Sequence, residues 1–288
     1  MKRLFAILLT VLLLAGCGTA AYDGPTESAW VITEQTTTHY NTLTGESQTW
    51  TQTDRYDGFG NPVHTCYFTG AKLTGEDKRT YDDRGNLIRE VYWHHFWIFT
   101  YPDYRTDYTY DDQDRLLTTT YRNGLGIKTD EDTYTYDDEA HTVIWDSSYD
   151  TQTRYLNENG DPIRVVTFSK PDETIMESLY EYDVQGRNIK TTHYYDGALA
   201  AITKIRYDNQ GRTIEYTLYD SDGTILDSTS NLYKDNTVTS WDMDGNKSIT
   251  TLRPDGLTEK NESYDPDGRL LTRTDYTYTE IQIPAKEE

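Results

Sequence analysis

The chain has 288 residues, of which 35% are hydrophobic and 13% aromatic, and its formal net charge at pH 7 is −22. A surface this negative repels phosphate groups, so the composition excludes nucleic acid as a partner and argues against adhesion to anionic lipid through a basic patch. The low mean hydropathy of −0.82 would suit a disordered chain, but 26 tyrosines, six tryptophans and six phenylalanines indicate an ordered one.

The N-terminal residues 1–16 have the parts of a bacterial export signal. A positively charged start at Met1-Lys2-Arg3 is followed by an apolar run from Leu4 to Leu14, which is too short to span a bilayer as a helix. The sequence then reads Leu14-Ala15-Gly16-Cys17 and resembles the bacterial lipobox. This resemblance implies that the signal is cut before Cys17 and that Cys17 carries lipid. An ordinary cleaved signal with an unrelated cysteine is the alternative.

These features predict an exported protein that lipid holds on the outer face of a bacterial membrane. Residues 17–28 are predicted to comprise the lipidated cysteine and a flexible tether. A folded domain is expected over residues 29–280, with a tail over 281–288. Cys66 cannot form an intramolecular disulfide if Cys17 is lipidated, and we interpret it as a small buried apolar residue of a strand, with a reactive or intermolecular role as the alternative.

One eight-residue pattern recurs through the domain and predicts β-hairpins. In the copy at 182–189, Tyr182 ends a strand, Asp183 opens a turn, Gly186 can adopt a positive φ, and Ile189 faces a core. Complete copies begin at Tyr56, Tyr81, Tyr182, Tyr207, Tyr219 and Tyr264, and incomplete copies begin at Tyr110, Tyr136, Tyr155 and Trp241.

Two incomplete copies carry another residue where glycine is expected, namely Asp114 and Ala140. Aspartate tolerates left-handed backbone geometry better than alanine does. We therefore expect the turn at Asp114 to keep the common geometry and the turn at Ala140 to be built differently.

The repeated pattern resembles the RHS/YD-repeat family, which is named for its Tyr-Asp dipeptide. The family motif Y-D-x-x-G-R is matched at 182–187, 207–212 and 264–269. The resemblance covers roughly residues 50 to 280. It implies hairpins that stack into long curved sheets, which in large members close into hollow shells around a toxic C-terminal domain.

The predicted fold class is therefore all-β, an array of antiparallel β-hairpins that forms an extended curved sheet or a partial shell. By the same resemblance, the repeats are too few for a closed shell. The short segment after Tyr278 leaves no room for an effector, so toxin delivery is not expected.

The segment 91–101 is almost continuously aromatic and apolar, and it supplies the candidate binding platform: Tyr92, Trp93, Phe96, Trp97, Phe99 and Tyr101. In an extended strand, odd-numbered and even-numbered residues of this segment face opposite sides. His94 and His95 then diverge, so a shared metal site is not expected. We favour burial of both sides, with an exposed platform for sugar rings or a partner protein as the alternative.

No catalytic or cofactor motif is recognised, and no catalytic, cofactor-binding or metal-binding residue is assigned. The Asp-x-Asp-Gly sequences at 220–223, 242–245 and 265–268 resemble the start of calcium loops, but the closing glutamate is missing from each twelfth position. We interpret them as turn chemistry, with weak structural calcium binding as the alternative.

Together these features predict a non-catalytic binding or scaffolding surface for a glycan or a surface protein. A carbohydrate-active enzyme and a partner or immunity protein of a larger RHS-type toxin are the alternative functions.

Overall fold

The computed structural model describes residues 26–41, 44–96 and 99–284, in which antiparallel strands are joined by short connections. None of the described segments forms a helix that is long and apolar enough to cross a membrane. The strands in these residues are β1 (Thr26–Tyr40), β2 (Ser47–Tyr56), β3 (Pro62–Thr69), β4 (Lys72–Tyr81), β5 (Leu87–Phe96), β6 (Phe99–Tyr110), β7 (Leu116–Asn123), β8 (Lys128–Asp137), β9 (Thr142–Asp146), β10 (Asp150–Leu156), β11 (Pro162–Ser169), β12 (Thr174–Tyr182), β13 (Asn188–Tyr195), β14 (Ala198–Tyr207), β15 (Thr213–Asp220), β16 (Ile225–Lys234), β17 (Thr237–Asp242), β18 (Lys247–Leu252), β19 (Thr258–Tyr264) and β20 (Leu270–Pro284).

Every strand pairs with its neighbours in chain order, and the last strand pairs with the first. The β1–β20 register runs from Thr26 opposite Pro284 to His39 opposite Thr272, with one irregularity between Ile32 and Glu34. The prediction of an all-β array of antiparallel hairpins is confirmed. The prediction of an open curved sheet or partial shell is wrong, because β1 and β20 pair and so remove both free edges of the sheet.

Side chains near the junction of β1 and β20 reinforce this closure. The hydroxyls of Thr37 and Thr274 are 2.9 Å apart. The guanidinium of Arg253, in the turn between β18 and β19, lies 4.7 Å from the ring centre of Trp30 and 5.1 Å from that of Tyr278. Arg253 thus bridges an aromatic residue of the first strand and one of the last strand through cation–π contacts.

The described strands extend into the segments predicted to flank the domain. β1 begins at Thr26, within the predicted tether, and β20 ends at Pro284, within the predicted tail. The predicted signal peptide and the lipid attachment site Cys17 lie outside the described residues, as does Trp97 of the candidate platform.

The repeated turn has the geometry that the sequence pattern predicts. In the turn at Asp183, the N–H of Asp183 donates to the carbonyl of Arg187 (2.9 Å) and that of Gly186 donates to the carbonyl of Asp183 (3.0 Å). The Oδ1 atom of Asp183 accepts the N–H groups of Gln185 and Arg187, and Gly186 has φ 77°. The same pair of side-chain bonds recurs at Asp57, Asp82, Asp111, Asp208, Asp220 and Asp242.

Both predictions for the substituted turns are confirmed. Asp114 adopts φ 62° and keeps the common turn, with its N–H donating to the carbonyl of Asp111. In the Ala140 turn, the positive φ is instead found at His141 (51°), and the N–H of Ala140 donates to Oδ1 of Asp137. The left-handed conformation is thus adopted by the residue after Ala140, and alanine avoids the strain that a positive φ would impose on it.

Replacing Gly186 with valine is expected to lower the free energy of unfolding by about 1–3 kcal/mol, because a β-branched residue strains at positive φ. A Cβ at this position would meet no atom within 4 Å, so the effect isolates backbone strain from steric overlap. Gln185→Ser in the same turn is the control and should be nearly neutral. Equal thermal melts for the two variants would contradict the proposed role of positive φ.

Tyrosine hydroxyls add a contact that the sequence pattern does not reveal. The hydroxyl of Tyr207 in β14 donates to the carbonyl of Asn188 in β13 at 2.8 Å. Seven further tyrosines of even-numbered strands bond in the same way to the preceding odd-numbered strand: Tyr56, Tyr81, Tyr110, Tyr136, Tyr182, Tyr233 and Tyr278. Six of these eight tyrosines begin a copy of the repeat, so in those six copies the tyrosine ties adjacent strands together as well as ending a strand.

The buried residues are polar rather than aliphatic. Among the described residues no aliphatic or aromatic side chain is buried, whereas Thr65 is 1% and Asp77 5% exposed. Ile163 and Leu226, which the pattern places at core-facing positions, are 44% and 51% exposed, so that prediction is wrong. An aliphatic core needs a second layer to pack against the sheet, and the backbone of each described strand approaches only those of its hydrogen-bonded neighbours.

Candidate functional site

The described part of segment 91–101 divides between the two sides of the sheet, as predicted for an extended strand. Tyr92 and His94 of β5 contact other aromatic rings on one side. On the other side, the ring of Trp93 lies 5.3 Å from Nζ of Lys78, and His95 lies beside Glu76. Each of the two sides carries its own cluster of side chains.

The first group, here called the aromatic cluster, consists of five residues from β3, β5 and β6: Tyr67, Tyr92, His94, Tyr101 and Tyr104. Tyr92 stacks on Tyr104, with ring centres 5.2 Å apart and an interplanar angle of 14°. Tyr67 and Tyr101 extend the group through rings 6.3 Å from Tyr92 and 5.6 Å from His94. Tyr101 is 48% exposed and Tyr104 44%, so two rings are accessible from solvent.

Strand register assembles the aromatic cluster. Tyr92 is directly opposite Tyr104 across β5 and β6, and His94 is opposite Tyr101. On the other neighbour, β4, Gly75 faces His94. A Cβ on Gly75 would overlap the phenol end of Tyr92, so the glycine leaves the space that the Tyr92 ring occupies.

A buried carboxylate lies at the edge of the aromatic cluster. The hydroxyl of Tyr67 donates to Oδ2 of Asp77 at 2.6 Å, while the buried Oδ1 atom of Asp77 has no hydrogen-bond partner among the described residues. The pKa of Tyr67 is raised far above its ordinary value, mainly by burial and to a smaller extent by the hydrogen bond to Asp77. Burial also raises the pKa of Tyr92 and of Tyr104. Tyr67, Tyr92 and Tyr104 therefore present neutral phenol hydroxyls at ordinary pH.

A similar tyrosine–aspartate pair lies four strands further along the sheet, on β7 and β8. The hydroxyl of Tyr121 donates to Oδ2 of Asp132 at 3.1 Å. Burial is the largest cause, and the negative charge of Asp132 the second, of the rise in the pKa of Tyr121 to about 12. The indole of Trp145 lies in the same depression of about 340 Å³, and its buried Nε1 has no hydrogen-bond partner among the described residues. This side of the sheet thus combines aromatic rings with polar groups in two places.

The candidate platform residues are only partly brought together. Tyr92 and Tyr101 belong to the aromatic cluster, whereas half-buried Trp93 faces the opposite side. The side chain of Phe99 is 65% exposed. The backbone of Phe99 pairs with that of Phe96 at the end of the β5–β6 hairpin. Sequence reasoning missed Tyr67 and Tyr104, because they come from other strands and only the register brings them beside Tyr92.

The second group, here called the polar cluster, lies on the opposite side of β3, β4 and β5 and contains His64, Cys66, Glu76, Lys78 and His95. His64 Nε2 is 2.7 Å from Oε2 of Glu76, Cys66 Sγ is 3.6 Å from His64 Nε2, and Lys78 Nζ is 2.9 Å from Oε1 of Glu76. The ligand atoms of His64, Cys66 and Glu76 all lie within 4.8 Å of one another.

The surroundings of Cys66 differ from the prediction that it is a small buried apolar residue. The residue is half-buried and lies among polar side chains. Burial is the main cause of a raised pKa of the Cys66 thiol, and the negative charge of Glu76 adds to it. Burial would also raise the pKa of Glu76, but hydrogen bonds from Lys78 and His64 outweigh it and lower that pKa. Because His64 and Glu76 lie beside it, Cys66 belongs to the polar cluster and not to an apolar core.

The three Asp-x-Asp-Gly sequences are turns of the repeated type. Oδ1 of Asp220 and of Asp242 each accept two backbone N–H groups, and Oδ1 of Asp265 accepts the N–H of Arg269. These bonds confirm the interpretation as turn chemistry, because the first aspartate of each sequence uses a carboxylate oxygen to hold its own backbone.

No protein-family model matches the chain, and no curated protein matches it. Some solved structures are similar to it in fold. A porin-like protein from Bacteroides uniformis is 12% identical with a TM-score of 0.41, over 86% of this chain and 98% of that one. The structure of TcdB2-TccC3-TEV is 13% identical with a TM-score of 0.38, over 76% of this chain but 15% of that one. At TM-scores below 0.5, neither similarity supports a functional inference.

Proposed function

We propose that the protein is a lipid-anchored, extracytoplasmic repeat protein of the RHS/YD type that binds a neutral glycan, without catalysis, through the aromatic cluster. The observation that carries this proposal is the stacking of Tyr92 on Tyr104. Tyr104 and the nearby Tyr101 each expose nearly half of their surface to solvent. The export signal, the lipobox-like sequence at Cys17 and the Tyr-Asp repeats support the location and the repeat type.

The chemistry of the aromatic cluster suits a sugar ring. The C–H faces of a pyranose are apolar and pack against flat aromatic rings, while its hydroxyls need polar partners nearby. Tyr101 and Tyr104 supply exposed rings, and the phenol hydroxyls of Tyr67, Tyr92 and Tyr104, whose pKa burial raises further above neutral pH, are uncharged polar partners. The net charge of −22 disfavours acidic glycans, so a neutral oligosaccharide is the expected ligand class.

The position of Asp77 supports binding rather than hydrolysis. Glycoside hydrolysis generally uses two carboxyl groups that flank the scissile bond and reach it directly. Asp77 is 5% exposed and accepts a hydrogen bond from the hydroxyl of Tyr67, so its carboxylate holds the Tyr67 side chain from beneath the surface. A role in positioning Tyr67 fits this geometry better than a role in acid–base chemistry.

Replacing Tyr104 with alanine is expected to weaken binding of a neutral oligosaccharide by about 1–3 kcal/mol, because the change removes both an exposed ring and the stacking partner of Tyr92. A screen of the purified protein against neutral and acidic oligosaccharides identifies the probe, and titration calorimetry measures its affinity. Thermal melting of each variant separates loss of binding from loss of fold.

Tyr195→Ala is the matched control, because Tyr195 of β13 is 49% exposed but lies on a distant part of the sheet. This variant should bind as tightly as the wild type. Equal weakening in the two variants would show that the aromatic cluster is not the binding surface. Absence of binding to any neutral oligosaccharide would overturn the glycan assignment.

A further inference from the structure

Three adjacent strands bring potential metal ligands to one point in the polar cluster. Cys66 of β3 is directly opposite Glu76 of β4, and His64 lies two residues before Cys66 on the same side of β3. His95 comes from the far side of β4, on β5, where its Nε2 lies 3.6 Å from Oε1 of Glu76. The four side chains project from paired, hydrogen-bonded strands rather than from loops, which restricts their relative movement.

The ligand atoms of His64, Cys66 and Glu76 all lie within 4.8 Å of one another, and His95 approaches Glu76 from the next strand, so three ligands are close to the spacing of an ion site and the fourth lies beside them. Nitrogen, oxygen and sulfur ligands at the usual distances from Zn²⁺ lie about 3.3–3.8 Å from one another. The Cys66 Sγ to His64 Nε2 distance and the His95 Nε2 to Glu76 Oε1 distance are both 3.6 Å. The His64 to Glu76 contact of 2.7 Å is a hydrogen bond, which would open by about 0.6 Å to admit an ion.

His95 provides a second, independent indication of a ligand at this point. Its Nδ1 atom lies 3.1 Å from the hydroxyl of Thr100, so one side of the imidazole is held by a hydrogen bond. Its Nε2 atom is buried and has no hydrogen-bond partner among the described residues, although it is directed at Glu76. Metal-binding histidines are typically held in this way, with one ring nitrogen bonded to a neighbour and the other directed at the ion.

We propose that His64, Cys66, Glu76 and His95 form a binding site for a divalent transition-metal ion of the Zn²⁺ class. One thiolate, two imidazoles and one carboxylate match the ligand preferences of Zn²⁺, whereas Ca²⁺ and Mg²⁺ favour sites made of oxygen atoms. On binding, the Cys66 thiol releases its proton to solvent, and the ammonium of Lys78 moves away from Oε1 of Glu76. Lys78 can do so because its side chain is 52% exposed.

This site is separate from the proposed glycan surface. The polar cluster uses His95 of β5, whose side chain projects from the same side as that of Trp93, whereas the aromatic cluster uses Tyr92 and His94, whose side chains project from the other side of the same strand. Failure of glycan binding would leave the metal proposal intact, and the converse also holds.

Titration of the chelator-treated full chain with Co²⁺ tests the proposal, because a tetrahedral site with a thiolate gives charge-transfer absorption in the near ultraviolet and d–d bands in the visible. We expect one equivalent of Co²⁺ to produce both signals and one equivalent of Zn²⁺ to abolish them. An excess of Ca²⁺ or Mg²⁺ should leave them unchanged. Thermal melting with and without Zn²⁺ should show stabilisation by the bound ion.

Cys66→Ser is expected to remove the thiolate absorption and to weaken Zn²⁺ binding by about tenfold or more. His95→Gln leaves the His64–Glu76 bond intact, so this variant should fold and lose the tetrahedral d–d spectrum. The control is His193→Gln, since His193 on β13 lies within hydrogen-bonding distance of Ser178 and Thr203, far from this cluster. It should bind like the wild type.

Three outcomes would overturn the proposal. In the first, the folded wild type gives no thiolate absorption with Co²⁺. In the second, Cys66→Ser retains that absorption, which would assign it to Cys17, the other cysteine of the chain. In the third, Zn²⁺ binds equally to the wild type, Cys66→Ser and His95→Gln, which would assign the ion to the acidic surface.

Discussion

Replacing Gln35 with proline is expected to lower the free energy of unfolding by about 3 kcal/mol or more, because proline removes a backbone donor from a strand that is paired on both sides. Gln35 lies near the middle of β1, opposite Gln52 of β2 and Tyr276 of β20. Loss of this pairing would open the sheet where the first and last strands meet. Two long unpaired edges would then be exposed, and aggregation should accompany the loss of stability.

Val184→Pro is the matched control for this prediction. Val184 is 94% exposed and follows the aspartate of a repeated turn, and the turn at Asp265 has proline at the equivalent position, Pro266. The Asp265 turn forms the same backbone hydrogen bonds as the Asp183 turn. Val184→Pro should therefore melt like the wild type, with no increase in light scattering. A Gln35→Pro variant that also melts like the wild type would show that β1 is not needed to complete the sheet.

Replacing Cys17 with serine is expected to abolish incorporation of fatty acid, because the proposed attachment requires the thiol of Cys17. The unmodified protein should remain unprocessed or appear in soluble form instead of in the membrane fraction. Metabolic labelling of cells with a fatty acid, followed by fractionation, measures both effects. Cys66→Ser removes the other cysteine and should label fully. Equal labelling of the wild type and Cys17→Ser would contradict lipid attachment at this residue.

The candidate sites show how far the sequence leads toward function. Tyr92 and Tyr101 could be named because they lie in one unusual aromatic segment. His64 and Cys66 are two residues apart in a predicted strand, a spacing that places both on one side. Their partners Glu76 and His95 lie on two other strands, and nothing within the sequence of any single strand indicates that these residues face Cys66.

The sequence by itself determined the local structure of this protein. The Asp183 turn needs only hydrogen bonds within five residues and a positive φ at Gly186, so the motif predicts it wherever it occurs. The same local rules correctly separated Asp114, which adopts the left-handed conformation, from Ala140, whose turn transfers it to His141. The opposite orientation of Tyr92 and Trp93 follows equally from the alternation of side chains along a strand.

Only the tertiary structure decided closure, burial and the two clusters. Closure requires β1 to reach β20, as in the contact of Thr37 with Thr274, and this depends on the summed twist and register of all the strands between them. Without a second layer, the aliphatic residues of the repeat remain partly exposed, and threonine and aspartate occupy the least accessible positions. The clusters depend on register in the same way, because moving a strand by one residue would send Cys66 and Tyr67 to the opposite sides of the sheet.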